Sequence, residues 1–354
     1  MSFFETDHLS AGDAIVQAQH IAFAPMVFQS ARTLRTLGIL ALLDCPAGAT
    51  QQDIVTRLGL PVYGVRVLLE AGLGIGVLTC LEKTYHLTKV GWFILHDRMT
   101  IANMDFTHEI CYTGMASLDE AVVSGAPTGL NAFGNWSTIY QGLAHLSPEA
   151  TRSWYAFDHF YSDDAYPSVL PIIARFELRS ILDIGGNTGR FALQCLRYDP
   201  DIRIGLVDLP NMAKSAAAAM HEHGFSDRVV FYPTDVLDAQ QTLPGGYDAV
   251  WMSQFLDCFS ESEIVSILSK VRETLADDTP VFIMEPFWDR QQREVAAFCL
   301  QMTSLYFTAV ANGNSQMYNS ELFLGLIAQA GLTVVEQINH IGLSQSLLVC
   351  RRTP

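Results

Sequence analysis

Short runs of β-favouring residues alternate with helix-forming segments after about residue 180. Each run is rich in Val, Ile, Leu or Phe and is bounded by turn residues, which is typical of buried parallel strands. The runs read SILDIGG, RIGLVDLP, RVVFYPTD, YDAVWMSQ, PVFIMEPF and LTVVEQI, and SQSLLVCR follows near the end of the chain. This alternation predicts a doubly wound α/β domain with parallel strands, in which the final run lies near one edge of the sheet.

The segments before residue 180 are predominantly helical. Apolar residues recur at helical spacing from Ala11 to Asp44, which predicts a long buried or subunit-facing surface. One small helical domain would not cover so much apolar surface by itself, so we expect a homodimer.

Residues 48–98 have the pattern of a winged helix: a helix, a turn at Gly59, a second helix and a hairpin within TYHLTKVGWFIL. A DNA-reading helix is expected to be basic and polar. Arg66 is the only Lys or Arg between positions 60 and 76. The pattern therefore favours a structural or dimerising domain over a DNA-binding one.

Composition and charge narrow the class of protein. The chain has 354 residues, of which 49% are hydrophobic and 16% charged, with a mean hydropathy of +0.21. A chain of this length can form two domains. Its hydrophobic content excludes intrinsic disorder. A formal net charge of −16 argues against nucleic acid as a partner.

Targeting and metal-binding signals are not found in the sequence. A secretory signal begins with basic residues before an apolar run, whereas the first Lys or Arg of this chain is Arg32. The apolar stretches are too short and too rich in glycine to span a membrane. We therefore expect a cytoplasmic protein without a membrane partner. The seven cysteines are scattered, and no Cys/His cluster has zinc-site spacing, so no metal site is predicted.

The segment LDIGGNTG, residues 182–189, carries the strongest functional signal. Gly185, Gly186 and Gly189 allow a ligand to approach the backbone at the end of the first strand. Asp183 precedes them, and its carboxylate would repel a pyrophosphate but suits a cationic ligand. This pattern favours S-adenosyl-L-methionine over a nicotinamide cofactor, although by itself it also fits an ordinary glycine-rich turn.

Acidic residues at the following strands strengthen that prediction. Asp208 ends the second strand about 20 residues after the glycine loop, where a carboxylate accepts ribose hydroxyls. Asp235 follows the third strand, where an adenine amino group would lie, and the fourth begins at Asp248. One such residue could be a helix cap, but three at successive strands make that explanation improbable.

Together these motifs resemble class I S-adenosylmethionine-dependent methyltransferases of the small-molecule O-methyltransferase type, such as caffeate and phenazine methyltransferases. The resemblance covers nearly the whole chain. It implies a mostly helical winged-helix dimerisation domain at residues 1–105 and a helical linker and substrate-pocket region at 106–175. A Rossmann-like cofactor domain then occupies residues 176–354. It also implies an aromatic substrate, which we expect to be a phenolic specialised metabolite.

The cofactor contacts follow from matching the family's motifs to this sequence. With the glycine loop included, they are predicted at Asp183, Gly185, Gly186, Gly189, Asp208, Leu209, Asp235, Val236, Ser253 and Gln254.

The catalytic motif departs from the family pattern. Family members read L-H-D-W-S-D-E after the fourth strand, with the His as general base, whereas this chain reads LDCFSE from residue 256. Asp257 therefore replaces the His, and the family's Glu partner is present as Glu285. A second acidic partner is replaced near Gln316.

An ordinary Asp is a weaker base than His by about 2.6 pKa units, or about 3.5 kcal/mol. Three interpretations therefore remain open. The substrate is an acidic or already ionised phenol that needs only proximity to the methyl group. Alternatively, Asp257 hydrogen-bonds and orients a phenol that is methylated on a ring carbon, or the protein binds the cofactor without transferring a methyl group. A winged-helix transcription regulator with a vestigial ligand domain is an alternative from a different class.

Further candidates lie in aromatic segments that core packing alone would also explain. His159 is a third catalytic candidate, because the family places the substrate pocket near residues 153–161. The family also makes the helix around residues 298–307 one wall of that pocket. The predicted substrate contacts are Tyr161, Phe298, Met302 and Tyr306.

Overall fold

The computed structural model describes residues 3–353, which form two compact units divided between His108 and Glu109. The sequence predicted this boundary at residue 105 and a second one at 175. In the structure, the segment from Glu109 to residue 175 belongs to the same unit as the sheet that follows it.

The first unit packs helices around a small antiparallel sheet in the strand order β1-β3-β2. A π-helical turn, Thr107–Cys111, follows its last helix. The elements are α1 (Ala11–Ala22), α2 (Ala24–Thr36), α3 (Ile39–Leu43), β1 (Ala49–Thr50), α4 (Gln51–Leu58), α5 (Val62–Gly74), β2 (Leu78–Leu81), β3 (Thr84–Leu87), α6 (Lys89–His96) and α7 (Arg98–Phe106).

The order of α4, α5 and the β2–β3 hairpin matches the predicted winged helix, but the hairpin lies earlier than expected. It turns at Glu82 and Lys83, whose φ values of 47° and 66° suit a two-residue hairpin loop. The second half of TYHLTKVGWFIL is the helix α6. It begins there because the Thr88 hydroxyl accepts a hydrogen bond from the Gly91 amide at 3.1 Å.

The apolar surface predicted from residue 11 is largely exposed at its start. Helix α1 has no buried residue. Ile15 is 58% exposed, and Ile21 and Met26 are 68% and 67% exposed. Burial within the unit begins at Ala31 and Leu34 of α2.

The second unit is built on a seven-stranded sheet in the order β6-β5-β4-β7-β8-β10-β9. Its elements are α8 (Leu118–Ser124), α9 (Ile139–Gly142), α10 (Pro148–Asp163), α11 (Tyr166–Ala174), β4 (Ser180–Ile184), α12 (Arg190–Tyr198), β5 (Arg203–Asp208), α13 (Pro210–Glu222), β6 (Val229–Pro233), β7 (Ala249–Ser253), α14 (Glu261–Thr274), β8 (Val281–Pro286), α15 (Glu294–Tyr306), α16 (Ser320–Gln329), β9 (Leu332–Ile341) and β10 (Gln345–Arg352).

All the predicted strands are present, and the prediction of a doubly wound sheet is confirmed. The strands from β4 to β8 pair in parallel. Strand β10 differs from the prediction because it runs antiparallel to both β8 and β9. It lies second from the edge, as the position of SQSLLVCR near an edge suggested.

Hydrophobic cores cover both faces of this sheet because successive strand residues point to opposite sides. Leu182 and Ile184 pack in the core that includes α14 and α16, whereas Ile181 packs in the core that includes α11 and α12. On the second face, Trp251 stacks on Phe191 with a ring-centroid distance of 4.0 Å. This stacking packs α12 against β7.

The strand order creates a crevice at the carboxyl ends of β4 and β7. The chain forms β4, β5 and β6 outward in one direction, then crosses back to place β7 on the other side of β4. In open α/β sheets, ligands bind outside the carboxyl ends of the strands at such a reversal.

Among the residues that the structure describes, one helical stretch, Glu294–Ala311, is long and apolar enough to cross a membrane, with a mean hydropathy of 1.3 over a window that is 39% buried. The sequence pattern predicted no such stretch. Ala297, Leu300 and Tyr306 on it are buried in the second unit.

Candidate active site

The glycine loop between β4 and α12 adopts left-handed backbone conformations at Gly185, Asn187 and Gly189, with φ values of 77°, 50° and 81°. A Cβ atom at Gly185 would lie 2.1 Å from Cδ2 of Phe255. Glycine at 185 is therefore required by both backbone conformation and the close approach of Phe255. Gly189 is the N-cap of α12, so the loop opens the helix where the sequence predicted.

Asp208 at the end of β5 is bonded to this loop. Its Oδ2 accepts a hydrogen bond from the Asn187 amide at 2.7 Å, and its Oδ1 accepts one from the Leu209 amide at 2.7 Å. Burial raises the pKa of the Asp208 carboxyl to about 6, although the two amides act in the opposite direction. The carboxylate thus fixes the loop against the strand end.

A small cavity of about 30 Å³ lies under the glycine loop. Buried side-chain atoms around it have no hydrogen-bond partner among the described residues: Asp183 Oδ2, Asn187 Oδ1, Gln254 Oε1 and Trp251 Nε1. Most of these atoms are acceptors, and burial raises the pKa of the Asp183 carboxyl well above its usual range. They fit a ligand that brings N–H donors and positive charge, as the ammonium group of S-adenosyl-L-methionine does.

A larger cavity of about 440 Å³ shares Asp158, Gly185 and Asn187 with the small one. Its volume lies in the range of small-molecule sites. Part of its wall comes from the carboxyl ends of the strands and the residues after them: Val207, Asp208, Leu209, Met212, Thr234, Asp235, Val236 and Leu237. The opposite part is more aromatic and includes Tyr140, Trp154, Phe255, Cys258, Phe259 and Asn312.

The structure brings the predicted cofactor residues together around these two cavities. Those on the small cavity are Asp183, Gly185, Gly186, Ser253 and Gln254, and those on the large one are Gly185, Asp208, Leu209, Asp235 and Val236. Gly189 caps α12 and does not contribute to either wall. Asp248 lies at the opposite end of β7, where its Oδ2 accepts the Arg179 and Ser180 amides at 2.9 and 2.8 Å. It therefore does not belong to the acidic strand ends of the site.

Asp257 is buried, with 4% of its surface exposed, in a 3₁₀ turn that follows β7. Burial raises the pKa of its carboxyl to about 7. Asp257 does not line the large cavity, but Cys258 does. The Cys258 thiol donates to Asp257 Oδ1 at 3.4 Å and is hydrogen-bonded to the Tyr140 hydroxyl. A chain of hydrogen bonds thus links the cavity wall to Asp257.

Glu285 lies at the end of β8 and is 1% exposed. Its Oε1 accepts hydrogen bonds from the amides of Phe255 and Leu256 at 3.0 and 2.8 Å. Burial and the charge of Asp257 raise the pKa of the Glu285 carboxyl well above its usual range. Glu285 therefore holds the loop that carries Asp257 and, like Asp257, does not contribute to either cavity wall.

His159 lines the small cavity and not the large one. Its Nε2 lies 3.4 Å from the Thr188 hydroxyl and 3.9 Å from Asp158 Oδ2. Burial, together with the charge of Arg190, lowers the pKa of this imidazole. The structure thus places His159 beside the glycine loop.

The four predicted substrate residues do not line either cavity. Phe298 and Met302 are 52% and 45% exposed, whereas Tyr306 is buried and accepts a hydrogen bond from Trp154 Nε1 at 2.9 Å. Tyr161 lies on α10, one helical turn beyond Phe157. The aromatic wall is formed by other residues, among them Trp154, Phe255 and Phe259. Phe255 and Phe259 lie two residues before and two residues after Asp257 in the sequence. Their position beside the catalytic motif was the signal that could have identified them as wall residues.

Asp158 is a site residue that sequence reasoning missed. It lies on α10 and lines both cavities. Its Oδ2 accepts a hydrogen bond from Asn187 Nδ2 at 3.1 Å. Burial, followed by the charges of Asp257 and Asp163, raises the pKa of its carboxyl to about 7. An acidic residue in the aromatic segment 153–161 was a weak signal, because a carboxylate on a helix is usually solvated.

Two family profiles match the chain. A dimerisation2-like domain matches residues 16–85, and an O-methyltransferase domain matches residues 163–333. The first lies within the unit that contains the winged helix, and the second covers β4 to β8 with their helices.

Curated relatives are methyltransferases. L-tyrosine C(3)-methyltransferase from Streptomyces lavendulae is 24% identical over 321 residues, which is 88% of this chain and 85% of the relative. 3-hydroxy-5-methyl-1-naphthoate 3-O-methyltransferase from Streptomyces sahachiroi is 30% identical over 258 residues, 70% of this chain and 69% of the relative.

Among solved structures, the mitomycin 7-O-methyltransferase MmcR has a TM-score of 0.76 at 19% identity, covering 97% of this chain and 98% of its own. This likeness establishes the fold. The glycine loop, the acidic strand ends and the unpaired acceptors fit S-adenosyl-L-methionine as the cofactor. With the matched domains and relatives, they show that the chain belongs to the S-adenosyl-L-methionine-dependent O-methyltransferase family with an N-terminal dimerisation domain.

Proposed function

We propose that this methyltransferase acts on a phenolic small molecule and methylates its oxygen or a ring carbon. The observation that carries the proposal is the 440 Å³ cavity, whose wall joins the cofactor strand ends to an aromatic surface. S-adenosyl-L-methionine supplies an activated methyl group when it is bound. The adjoining aromatic wall holds the acceptor.

The aromatic wall suits a flat ring. Trp154, Phe255 and Phe259 offer ring faces and edges, and the Phe255 and Phe259 rings lie 4.9 Å apart in an edge-to-face arrangement. Trp154 is held in place by its hydrogen bond to the buried Tyr306 hydroxyl. Rigid aromatic side chains bind a planar substrate with little loss of side-chain entropy. Tyr306 therefore supports the pocket by fixing Trp154.

Asp257 is the residue we propose to receive the phenolic proton. With a pKa raised to about 7, its carboxylate is as strong a base as an ordinary imidazole of about 6.5. Burial thus offsets the lower basicity that an ordinary Asp has in place of the family's His. Because the Cys258 thiol lies between Asp257 and the cavity, we propose that the proton moves along the Tyr140–Cys258–Asp257 hydrogen bonds.

The names of the relatives support a hydroxylated aromatic substrate. One relative is named for methylation of C(3) of L-tyrosine and another for methylation of the 3-hydroxyl of a naphthoate. Both substrates combine an aromatic ring with a hydroxyl group. Methylation on oxygen requires loss of the phenolic proton, whereas attack from carbon needs a polarised hydroxyl, and a buried carboxylate serves both.

We further propose a cytoplasmic homodimer. The exposed apolar side chains of α1 and early α2, which include Ile15, Ile21 and Met26, belong to the unit that matches a dimerisation domain. A second copy would remove this surface from water. Sedimentation at micromolar concentration should give a dimer, and a monomer would contradict the proposal.

Product analysis tests the proposed reaction. The full-length protein is incubated with S-adenosyl-L-methionine and a panel of mono- and dihydroxylated aromatics, and products are examined by carbon NMR. An aryl methyl ether or an aryl-bound methyl carbon supports the proposal and decides between oxygen and carbon. Methylation of aromatic amines or thiols without any phenolic product would refute it.

A further inference from the structure

The large cavity has a one-sided charge. Among the described residues, its wall contains no Lys, Arg or His. It contains four carboxylates: Asp158, Asp208, Asp235 and Glu263. Asp257 is buried and is bonded to Cys258 of the same wall. A ligand group in this cavity therefore experiences a negative potential that no cationic side chain on the wall offsets.

Three of the four carboxylates already accept hydrogen bonds from the adjacent backbone. Asp208 accepts two amides, Asp235 accepts the Leu237 amide at 2.9 Å, and Glu263 accepts the Ser260 amide at 2.8 Å within a capping box. Asp208 and Asp235 also lie at the strand ends matched to the cofactor.

Asp158 differs from these three. The hydrogen bond it accepts from Asn187 comes from a neutral side chain, at 3.1 Å. The imidazole Nε2 of His159 lies 3.9 Å away and faces the small cavity. Arg190 is bonded to Asp163, with 3.1 Å between Arg190 Nε and Asp163 Oδ1. Its charge also favours the Asp158 carboxylate, but burial and the charges of Asp257 and Asp163 outweigh it, so the pKa of Asp158 stays raised. A full positive charge in the large cavity beside Asp158 would stabilise its carboxylate, whereas an anion would be repelled.

Resting on the proposed phenol methylation, we propose that the substrate carries a protonated amine near its aromatic ring and that Asp158 binds this amine. The aromatic residues then hold the ring, and Asp158 sets its orientation. An aromatic whose only charged group is a carboxylate is excluded, because the cavity wall offers it no counter-ion.

Three phenols test this inference: tyramine, 4-ethylphenol and 3-(4-hydroxyphenyl)propionate. They share the 4-hydroxyphenyl ring and the two carbons attached to it, and the group that follows is an ammonium, a hydrogen or a carboxylate. Each is titrated calorimetrically into the full-length protein saturated with S-adenosylhomocysteine, at pH 7.5 and low salt. We expect tyramine to bind at least tenfold more tightly than the propionate, with 4-ethylphenol between them. Equal or tighter binding of the propionate would overturn the inference.

Asp158→Asn should remove the advantage of tyramine over 4-ethylphenol in the complex saturated with S-adenosylhomocysteine. Asp164→Asn, which neutralises an exposed carboxylate at the end of the same helix, should leave this advantage intact. If Asp158→Asn weakens S-adenosylhomocysteine and tyramine keeps its advantage, Asp158 serves the cofactor and the assignment is wrong. Binding of none of the three phenols would refute the phenol proposal as well, whereas tight binding of the anion refutes this inference alone.

Discussion

Replacing Asp257 by Asn should stabilise the protein without cofactor at pH 8 and reduce its activity. Burial raises the pKa of Asp257 from 3.8 to about 7. The folded protein therefore disfavours the charged carboxylate that predominates at pH 8 in the unfolded chain. Asn has nearly the same shape and carries no charge.

The size of the effect follows from this shift. A difference of about 3 pKa units corresponds to about 4 kcal/mol, which is the most that the charge of Asp257 costs the folded state. We expect the free energy of unfolding to rise by about 2 kcal/mol in practice. Asn can remove the oxygen that accepts a hydrogen bond from the Cys258 thiol, and it leaves the buried Glu285 carboxyl in place.

The dependence on pH has a defined sign. Because the folded pKa is raised, the wild-type carboxyl contributes its full stability below about pH 4 and loses it as the pH rises through about 7. The advantage of Asp257→Asn should thus be greatest at pH 8 and vanish towards pH 4. Urea unfolding at several pH values measures it, with Asp277→Asn as a control that removes an exposed carboxylate of the same type. An Asn variant that is no more stable than wild type at pH 8 would refute the burial argument.

Three further substitutions test the site. Gly185→Ala should weaken S-adenosylhomocysteine binding at least tenfold by calorimetry, because its Cβ would lie 2.1 Å from the Phe255 ring, and unchanged affinity would contradict the loop geometry. Cys258→Ala should lower kcat at least tenfold with cofactor affinity retained; a wild-type kcat would remove the thiol from the proton path. Asp208→Ala should weaken cofactor binding by about 2–3 kcal/mol, whereas Asp201→Ala, at an exposed position, should leave it unchanged.

The strand pattern was predictable because the central strands of the large sheet, β4, β5, β7 and β8, are short apolar runs bounded by turn residues. Both faces of the sheet are covered there, so the side chains on both sides of these strands are apolar. The direction of β10 was not predictable from the same signal. A buried run has the same composition in either direction, and the short connection from β9 that reverses the chain lies outside the apolar pattern.

The hairpin was misplaced for a local reason. The apolar run of residues 90–95 resembles a strand, but Thr88 caps a helix there, and the turn at Glu82 and Lys83 lacks the Gly or Asn that marks a hairpin. In this segment the helix cap at Thr88 was therefore a better predictor of the secondary structure than the turn residues.

The cofactor side of the site was predictable because its residues occupy fixed positions at strand ends. The substrate side was not, since its wall comes from separate segments: α10, the region before α9 and the loop after β7. Asp158 and Trp154 lie four residues apart on α10, and the sequence does not show which face of that helix meets the cavity. The shielding of Asp257 by Cys258 likewise depends on side-chain packing.

Methyl transfer from labelled S-adenosyl-L-methionine tests the central claim most directly. The full-length protein is mixed with the labelled cofactor and a phenolic amine such as tyramine, and the products are followed by mass spectrometry. The account predicts one labelled methyl group on the aromatic product and one S-adenosylhomocysteine formed for each methyl transferred. Cofactor binding without label in tyramine or in any member of the phenol panel would contradict it and leave a protein that binds the cofactor without methylating a phenol.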